Sequence, residues 1–281
     1  MNNFWARTIT GLSMVFILFA ALYLNDGLVA GIFFVITVAG LWEFYQLISS
    51  ESCSPQRYYG TIAGALLYLC IVWIHFVSFT FSRGWINLLP FIFPLPLFFL
   101  TFIFEIYRKK STPLVNVAMT NLGILYIALP FSLLNLMNGP DKVHFLGFPA
   151  ILTGYFILTW FYDTGAYLYG KQYGKHKLFE RISPKKTWEG TIAGAVVALL
   201  TALGFSFLVP EVQMADWFAI TILVLVFGTL GDLVESLFKR SLNIKDSGTI
   251  LPGHGGILDR FDTILISAPF VFLYLFLRNA I

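Results

Sequence analysis

Charge is scarce in this chain. Lys, Arg, Asp and Glu make up 12% of its 281 residues, about half the share carried by a soluble globular domain, and the shortage excludes an ordinary water-soluble enzyme. Cysteine is nearly absent: Cys53 and Cys70 have no metal-ligand spacing, so neither a thiolate zinc site nor a disulfide is expected. Histidine occurs four times, without a Ser-His-Asp or Cys-His arrangement that would mark a side-chain nucleophile. No small-residue cleavage site follows the apolar stretch after Arg7, so Met1 to Leu24 reads as a retained first span and not as a signal peptide. The net charge of +3 gives no reason to expect a nucleic-acid partner, because cytoplasmic loops of membrane proteins carry extra Lys and Arg.

Apolar residues are abundant. They reach 58%, aromatics 18% and mean hydropathy +0.78, and apolar runs of about 20 residues recur throughout, the length that crosses a bilayer as a helix. The expected fold is an all-α, polytopic integral membrane protein with about nine transmembrane helices, near 8–24, 28–48, 58–80, 85–107, 114–137, 145–169, 188–209, 217–238 and 261–278. Residues 1–144 then form an N-terminal region of about five spans, and 145–281 a C-terminal catalytic region of about four spans and two cytoplasmic loops. Nine spans place fifteen of the eighteen basic residues on the side of the N-terminus, leaving Arg83, Lys142 and Arg278 opposite. The positive-inside rule makes the richer side cytoplasmic. Gly60 to Leu67 (GTIAGALL) and Gly190 to Val197 (GTIAGAVV) echo one another. Close helix approach through Gly-xxx-Gly explains the echo better than duplication does.

Ionisable groups inside a bilayer are costly and mark function by default. Asp163, in TWFYDTGAYLYG, and Asp232, in GTLGDLVESLFKR, each lie six residues from the cytoplasmic end of a span, roughly 9 Å deep at 1.5 Å per residue. The alternative is that each acid pairs with a base merely to orient helices. Downstream, ILPGHGGILDRFD sets three glycines around His254 before Asp259 and Asp262. Such a loop can turn backbone N–H groups toward phosphate oxygens. Two carboxylates one helical turn apart suit Mg²⁺, which takes one or two protein carboxylates plus substrate phosphates. Lys239, Arg240, Lys245 and Arg260 would meet phosphate charge, and Lys185 and Lys186, beside Trp188, stand where basic residues gather anionic head groups.

Ser236, Lys239-Arg240, Lys245-Asp246, His254-Gly255-Gly256 and Asp259-Arg260-x-Asp262 together fill, without departure, a long C-terminal signature: the chain resembles the CDP-diacylglycerol synthases, or phosphatidate cytidylyltransferases. Asp163 to Gly174 and SPKKTWEG at Ser183 to Gly190 are similar to the same family. Before residue 145 the likeness rests on hydropathy and the neighbourhood of Trp42-Glu43-Phe44. The resemblance implies cytidylyl transfer from CTP to phosphatidate in a bacterial inner membrane, at a site facing the cytoplasm. It implies one or two divalent cations such as Mg²⁺, and leaves a further monovalent ion and a homodimer open. Asp232, Asp259, Lys239, Asp246 and His254 are the expected catalytic residues, with Asp232, Asp259 and Asp262 at the metal. Arg240, Lys245, Gly255, Gly256, Arg260, Lys185, Lys186 and Asp163 are expected to bind substrate. Two competing classes are another CTP-dependent lipid phosphotransferase or kinase, and an ion-coupled transporter. The Asp-Gly-Ala-Arg cluster of CDP-alcohol phosphotransferases is missing, and acids near one face fit a transporter poorly.

Overall fold

A computed structural model describes residues 3–77, 92–137, 143–248 and 255–278. Nine helices are present among them. Five are long and apolar enough to cross a membrane: Asp26–Ile48, Pro113–Leu136, Trp188–Leu208, Met214–Ser241 and Leu258–Leu277. The chain divides into two units, one formed by residues 1–140 and 246–261, the other by 141–245 and 262–281.

The first unit holds α1 (Asn3–Leu24), α2 (Asp26–Ile48), α3 (Arg57–Val77), α4 (Leu95–Arg108) and α5 (Pro113–Leu136). Asn25 separates α1 from α2 and caps the latter by accepting from the Leu28 N–H at 2.9 Å, satisfying one of the donors a helix start leaves orphaned. Tyr45 of α2 is wholly buried. Its ring lies where a Cβ on Gly60 of α3 or Gly123 of α5 would come within 2.5–2.6 Å, and its hydroxyl donates to Thr120 O at 2.7 Å. Four residues after Gly60, Gly64 admits Leu41. A π-turn at Ile124–Ala128 widens α5 just before Pro130, whose ring would otherwise press on the carbonyl four residues back. Glu105 of α4 accepts from Gln56, Arg108 and Asn116 at 2.7–2.8 Å, tying the 50–56 turn to α4 and α5 through a buried carboxylate with four bonding positions.

The second unit opens with a hairpin, β1 (His144–Phe145) and β2 (Phe148–Pro149), and continues with α6 (Ala150–Tyr173), a second hairpin, β3 (Lys177–Phe179) and β4 (Ser183–Thr187), then α7 (Trp188–Leu208), α8 (Met214–Ser241) and the larger part of α9 (Leu258–Leu277). Fully buried Trp217 stacks on Phe205 with centroids 4.8 Å apart, against Gly154, and Tyr155 bonds Ser267 at 2.6 Å. The glycines of the second echo bring α7 onto α6: a Cβ at Gly190 would sit 2.6 Å from Ala166 O, and one at Gly194 2.6 Å from Tyr162 O. Both echoes therefore serve close helix approach.

Two departures from the expected elements have local causes. The span expected from residue 145 begins at Ala150, because Leu146 and Gly147 both take positive φ (53° and 86°), the two-residue loop geometry that matches strand twist in a hairpin. The loop expected over 170–187 is helical to Tyr173 and then pairs as β3 and β4. The helix stops where Gly174 meets Thr187, whose Oγ1 would lie 2.6 Å from a Cβ there. An all-helical chain thus carries two short hairpins. Of the expected 85–107 span, residues 85–91 lie outside the described residues, and the described helix begins after Pro94.

Candidate active site

In the second unit, a cavity of about 570 Å³ is lined by Asp163, Ala166, Tyr167 and Gly170 from one stripe of α6, by Lys177, Lys185 and Lys186 from the second hairpin, and by Asp232 from α8. The stripe follows from 3.6-residue periodicity. The hairpin is held at the start of α7 by Thr187, which caps that helix by accepting from the Gly190 N–H at 3.2 Å. It is thereby fixed so that Lys186 Nζ reaches Asp232 Oδ2 at 2.6 Å. Ser236, one turn beyond, donates to Asp232 Oδ1 at 3.2 Å.

Neither partner of that ion pair is sealed from solvent: the Lys186 and Asp232 side chains are 25% and 30% exposed. That separates them from a buried pair whose only effect is to orient helices, where each ion would need complete compensation. Asp163 is exposed and has no hydrogen-bond partner among the described residues. Gly231 lets the backbone of α9 approach α8, since a Cβ there would lie 2.5 Å from Asp262 O. Asp262 is consequently close enough to Asp163, Asp232 and Lys186 to interact electrostatically with all three. Its own Oδ1 accepts from the Thr263 N–H at 2.7 Å. Three carboxylates thus confront one half-buried lysine, with Lys171, Lys177 and Lys185 also on the cavity wall. Among the described residues, no group of three or more His, Cys, Asp or Glu side chains is placed to hold a metal ion.

In the first unit, the described flanks of the signature loop, residues 247–248 and 255–258, meet two carboxylates. Asp259 Oδ2 accepts from the N–H groups of Ser247 and Gly256 at 2.8 and 2.9 Å. Glu43 of α2, only 3% exposed, accepts from Ser247 Oγ, Ile257 N and Leu258 N at 2.6, 2.9 and 3.1 Å. Gly255 takes φ of 82°, a conformation glycine enters without Cβ strain. In the sequence Glu43 is marked only by the Trp42-Glu43-Phe44 neighbourhood that carries part of the family likeness. Its cost in an apolar run was the available signal.

Among the described residues, the remaining expected ones do not line the cavity of the second unit. Lys239 makes an ion pair with Glu235 one turn away on α8. Arg240 is exposed and donates to Ile244 O at 3.3 Å. Lys245, Asp246 and Arg260 are exposed, and His254 lies outside the described residues.

The cytidylyltransferase family model matches residues 5–278. The chain is 32% identical over 265 residues to the phosphatidate cytidylyltransferase of Staphylococcus aureus (strain COL), covering 94% of this chain and 95% of that protein. It is 37% identical over 190 residues to the phosphatidate cytidylyltransferase of Staphylococcus saprophyticus, covering 67% and 70%, and 31% identical over 266 residues to that of Staphylococcus epidermidis, covering 94% and 95%. Since the match runs along nearly the whole chain and includes both the cavity stripe and the signature loop, the chain belongs to the cytidylyltransferase family.

Proposed function

We propose that this protein transfers a cytidylyl group from CTP to phosphatidate, forming CDP-diacylglycerol and releasing pyrophosphate in phospholipid biosynthesis. The observation that carries this is the open cavity, where lysines and carboxylates face one another in an otherwise apolar, helical protein. It suits two anionic phosphate substrates, one arriving from water and one from lipid. The names of the relatives supply the substrates.

Phosphatidate already carries an ionised phosphate. One of its oxygens attacks the α-phosphorus of CTP, and the bond from that phosphorus to the bridging oxygen breaks as pyrophosphate leaves, so no side-chain nucleophile is required. Positioning and charge neutralisation account for most catalysis in such a transfer. Lys186, with Lys185 and Lys177, binds phosphate oxygens. Asp232 orients Lys186.

The donor set also fits a hard cation. Asp163, Asp232 and Asp262 interact electrostatically with one another, and one or two of them would suffice for Mg²⁺, which ordinarily takes only one or two protein carboxylates and fills its shell with water and substrate phosphates. When bound, such an ion offsets the repulsion between the two phosphates. In unit one, the described N–H groups of Ser247, Gly256, Ile257 and Leu258 serve Asp259 and Glu43, not phosphate oxygens as the glycine-rich sequence suggests, so a triphosphate would be met there by side-chain cations such as Arg260.

We further infer nine spans with the N-terminus and the cavity on the cytoplasmic side. The 15 to 3 partition of basic residues supports this. Turnover of phosphatidate and CTP by purified protein, with and without Mg²⁺, tests the proposal. Label from α-labelled CTP should enter lipid in the presence of Mg²⁺. Entry of label from γ-labelled CTP instead would make the protein a lipid kinase, and absence of either would refute lipid phosphotransfer.

A further inference from the structure

We propose that Glu43, more than 200 residues away in sequence, is a positioning residue that anchors the two described flanks of the signature loop, residues 247–248 and 255–258. This rests on the reading of those flanks as part of a CTP-binding site. A carboxylate buried within an apolar helix requires compensation. Among the described residues, the compensation at Glu43 comes from N–H and O–H donors of the loop flanks: Ser247 Oγ and Leu258 N on Oε1, Ile257 N on Oε2. Ile257 and Leu258 stand at the start of α9, where unpaired N–H groups and the helix dipole favour negative charge. Glu43 therefore acts as an N-terminal cap supplied by a different helix.

The loop has the shape this contact requires. A Cβ at Gly248 would lie 2.8 Å from Glu43 Oε2, and one at Gly256 would overlap the carboxylate and Ser247 Oγ. Two glycines thus let the backbone close around the acid. Gly256 is shared, because its N–H donates to Asp259 Oδ2 at 2.9 Å while its Cα abuts Glu43. Ser247 is shared as well, giving its hydroxyl to Glu43 and its N–H to Asp259. The two carboxylates thus share Ser247 and Gly256 as neighbours. Losing one loosens the attachment of the other.

The test uses purified full-length protein. Glu43→Gln keeps the size but turns an amide NH₂ toward at least one N–H or O–H donor. Losing one or more bonds to a charged acceptor should raise the KM for CTP by about tenfold or more, with the KM for phosphatidate far less affected. Amide hydrogen exchange should rise in the peptide spanning 247–258 and stay unchanged in α6 and α7. Glu43→Asp, which retains charge but shortens the reach, should fall between parent and Gln. Should Glu43→Gln fail to fold, Ser247→Ala decides the matter, since it removes one donor and leaves the carboxylate in place. It should raise exchange in the same peptide and the KM for CTP while the protein still folds, with a lowered melting temperature in proportion to one lost bond to a buried acid. Unchanged exchange over 247–258, or an unchanged KM for CTP, in the folded variant overturns the proposal. A parent protein that does not turn over CTP and phosphatidate overturns the proposed function instead, and leaves the exchange measurement to judge the clamp on its own.

Discussion

Replacing Asp232 by Asn removes one charge and almost no volume, so what it changes depends on what Asp232 does. If the acid existed to pair with Lys186, its loss would leave an uncompensated base. For a buried pair that costs about 3–5 kcal/mol. Here both side chains retain a quarter to a third of their exposure along an open cavity. Water can therefore solvate Lys186, and the pair contributes only about 0–1 kcal/mol to folding. Asp232→Asn should accordingly leave the melting temperature of the detergent-solubilised protein within a few degrees of the parent. Turnover is a different matter, because bound substrates would displace that water, and a charge aligned with a developing transition state then counts for far more. Losing such a group lowers kcat by about a hundredfold or more, which at about 1.4 kcal/mol per tenfold is near 3 kcal/mol of barrier. The assay is incorporation of label from α-labelled CTP into lipid at saturating CTP, titrated with Mg²⁺, beside a melting curve on the same preparation. Near-parent turnover with the same Mg²⁺ dependence would refute the assignment, and so would a lost activity that merely follows a collapsed melting temperature.

Asp259→Asn should also lower turnover, but with increased amide exchange at Ser247 and Gly256, the two donors to its Oδ2; exchange there should not change in Asp232→Asn. Replacing Lys185 and Lys186 together by Gln should weaken the use of anionic substrate strongly at low ionic strength and less at high, since surface attraction is screened over about 8–10 Å at physiological salt; an identical salt profile in parent and variant would reduce these lysines to topology anchors. Gly190→Val should destabilise the protein by about 1–3 kcal/mol through overpacking, because even a Cβ would lie 2.6 Å from Ala166 O; an unchanged melting temperature would show that α6 and α7 do not pack this closely. Cysteines placed at Lys110 and Lys177 should be labelled only from the cytoplasm and one at Lys142, which lies outside the described residues, only from the other side; labelling of Lys142 and Lys177 from one face would overturn nine spans.

Helices were the most legible feature of the chain. A bilayer offers no partner for backbone N–H and C=O groups, so a run of about 20 apolar residues has few conformations open to it. Hairpins were not legible, because β1 to β4 are two to five residues long and depend on positive φ at Leu146 and Gly147 and on Thr187 over Gly174. Asp163, Asp232 and Lys186 could be singled out because charge in a chain with only 12% charged residues has few structural uses. Their meeting at one cavity depends on the hairpin register and on the glycine contacts between α6 and α7.

Composition and spacing pointed to a helical membrane protein, and the resemblance of Ser236 to Asp262 to a known signature pointed to its family, because both are local: hydropathy is counted along the chain, and a motif is residue identity at fixed intervals. Which donors each acid serves is not local. Asp259 and Asp262 are three residues apart, yet one ties the backbone of Ser247 and Gly256 and the other joins Asp163, Asp232 and Lys186. Glu43 bonds to groups 204 to 215 positions distant. Only the tertiary structure could decide these roles, because a buried carboxylate is stabilised by whatever N–H and O–H groups the fold brings to it, and chain separation has no bearing on a hydrogen bond once the backbones have met.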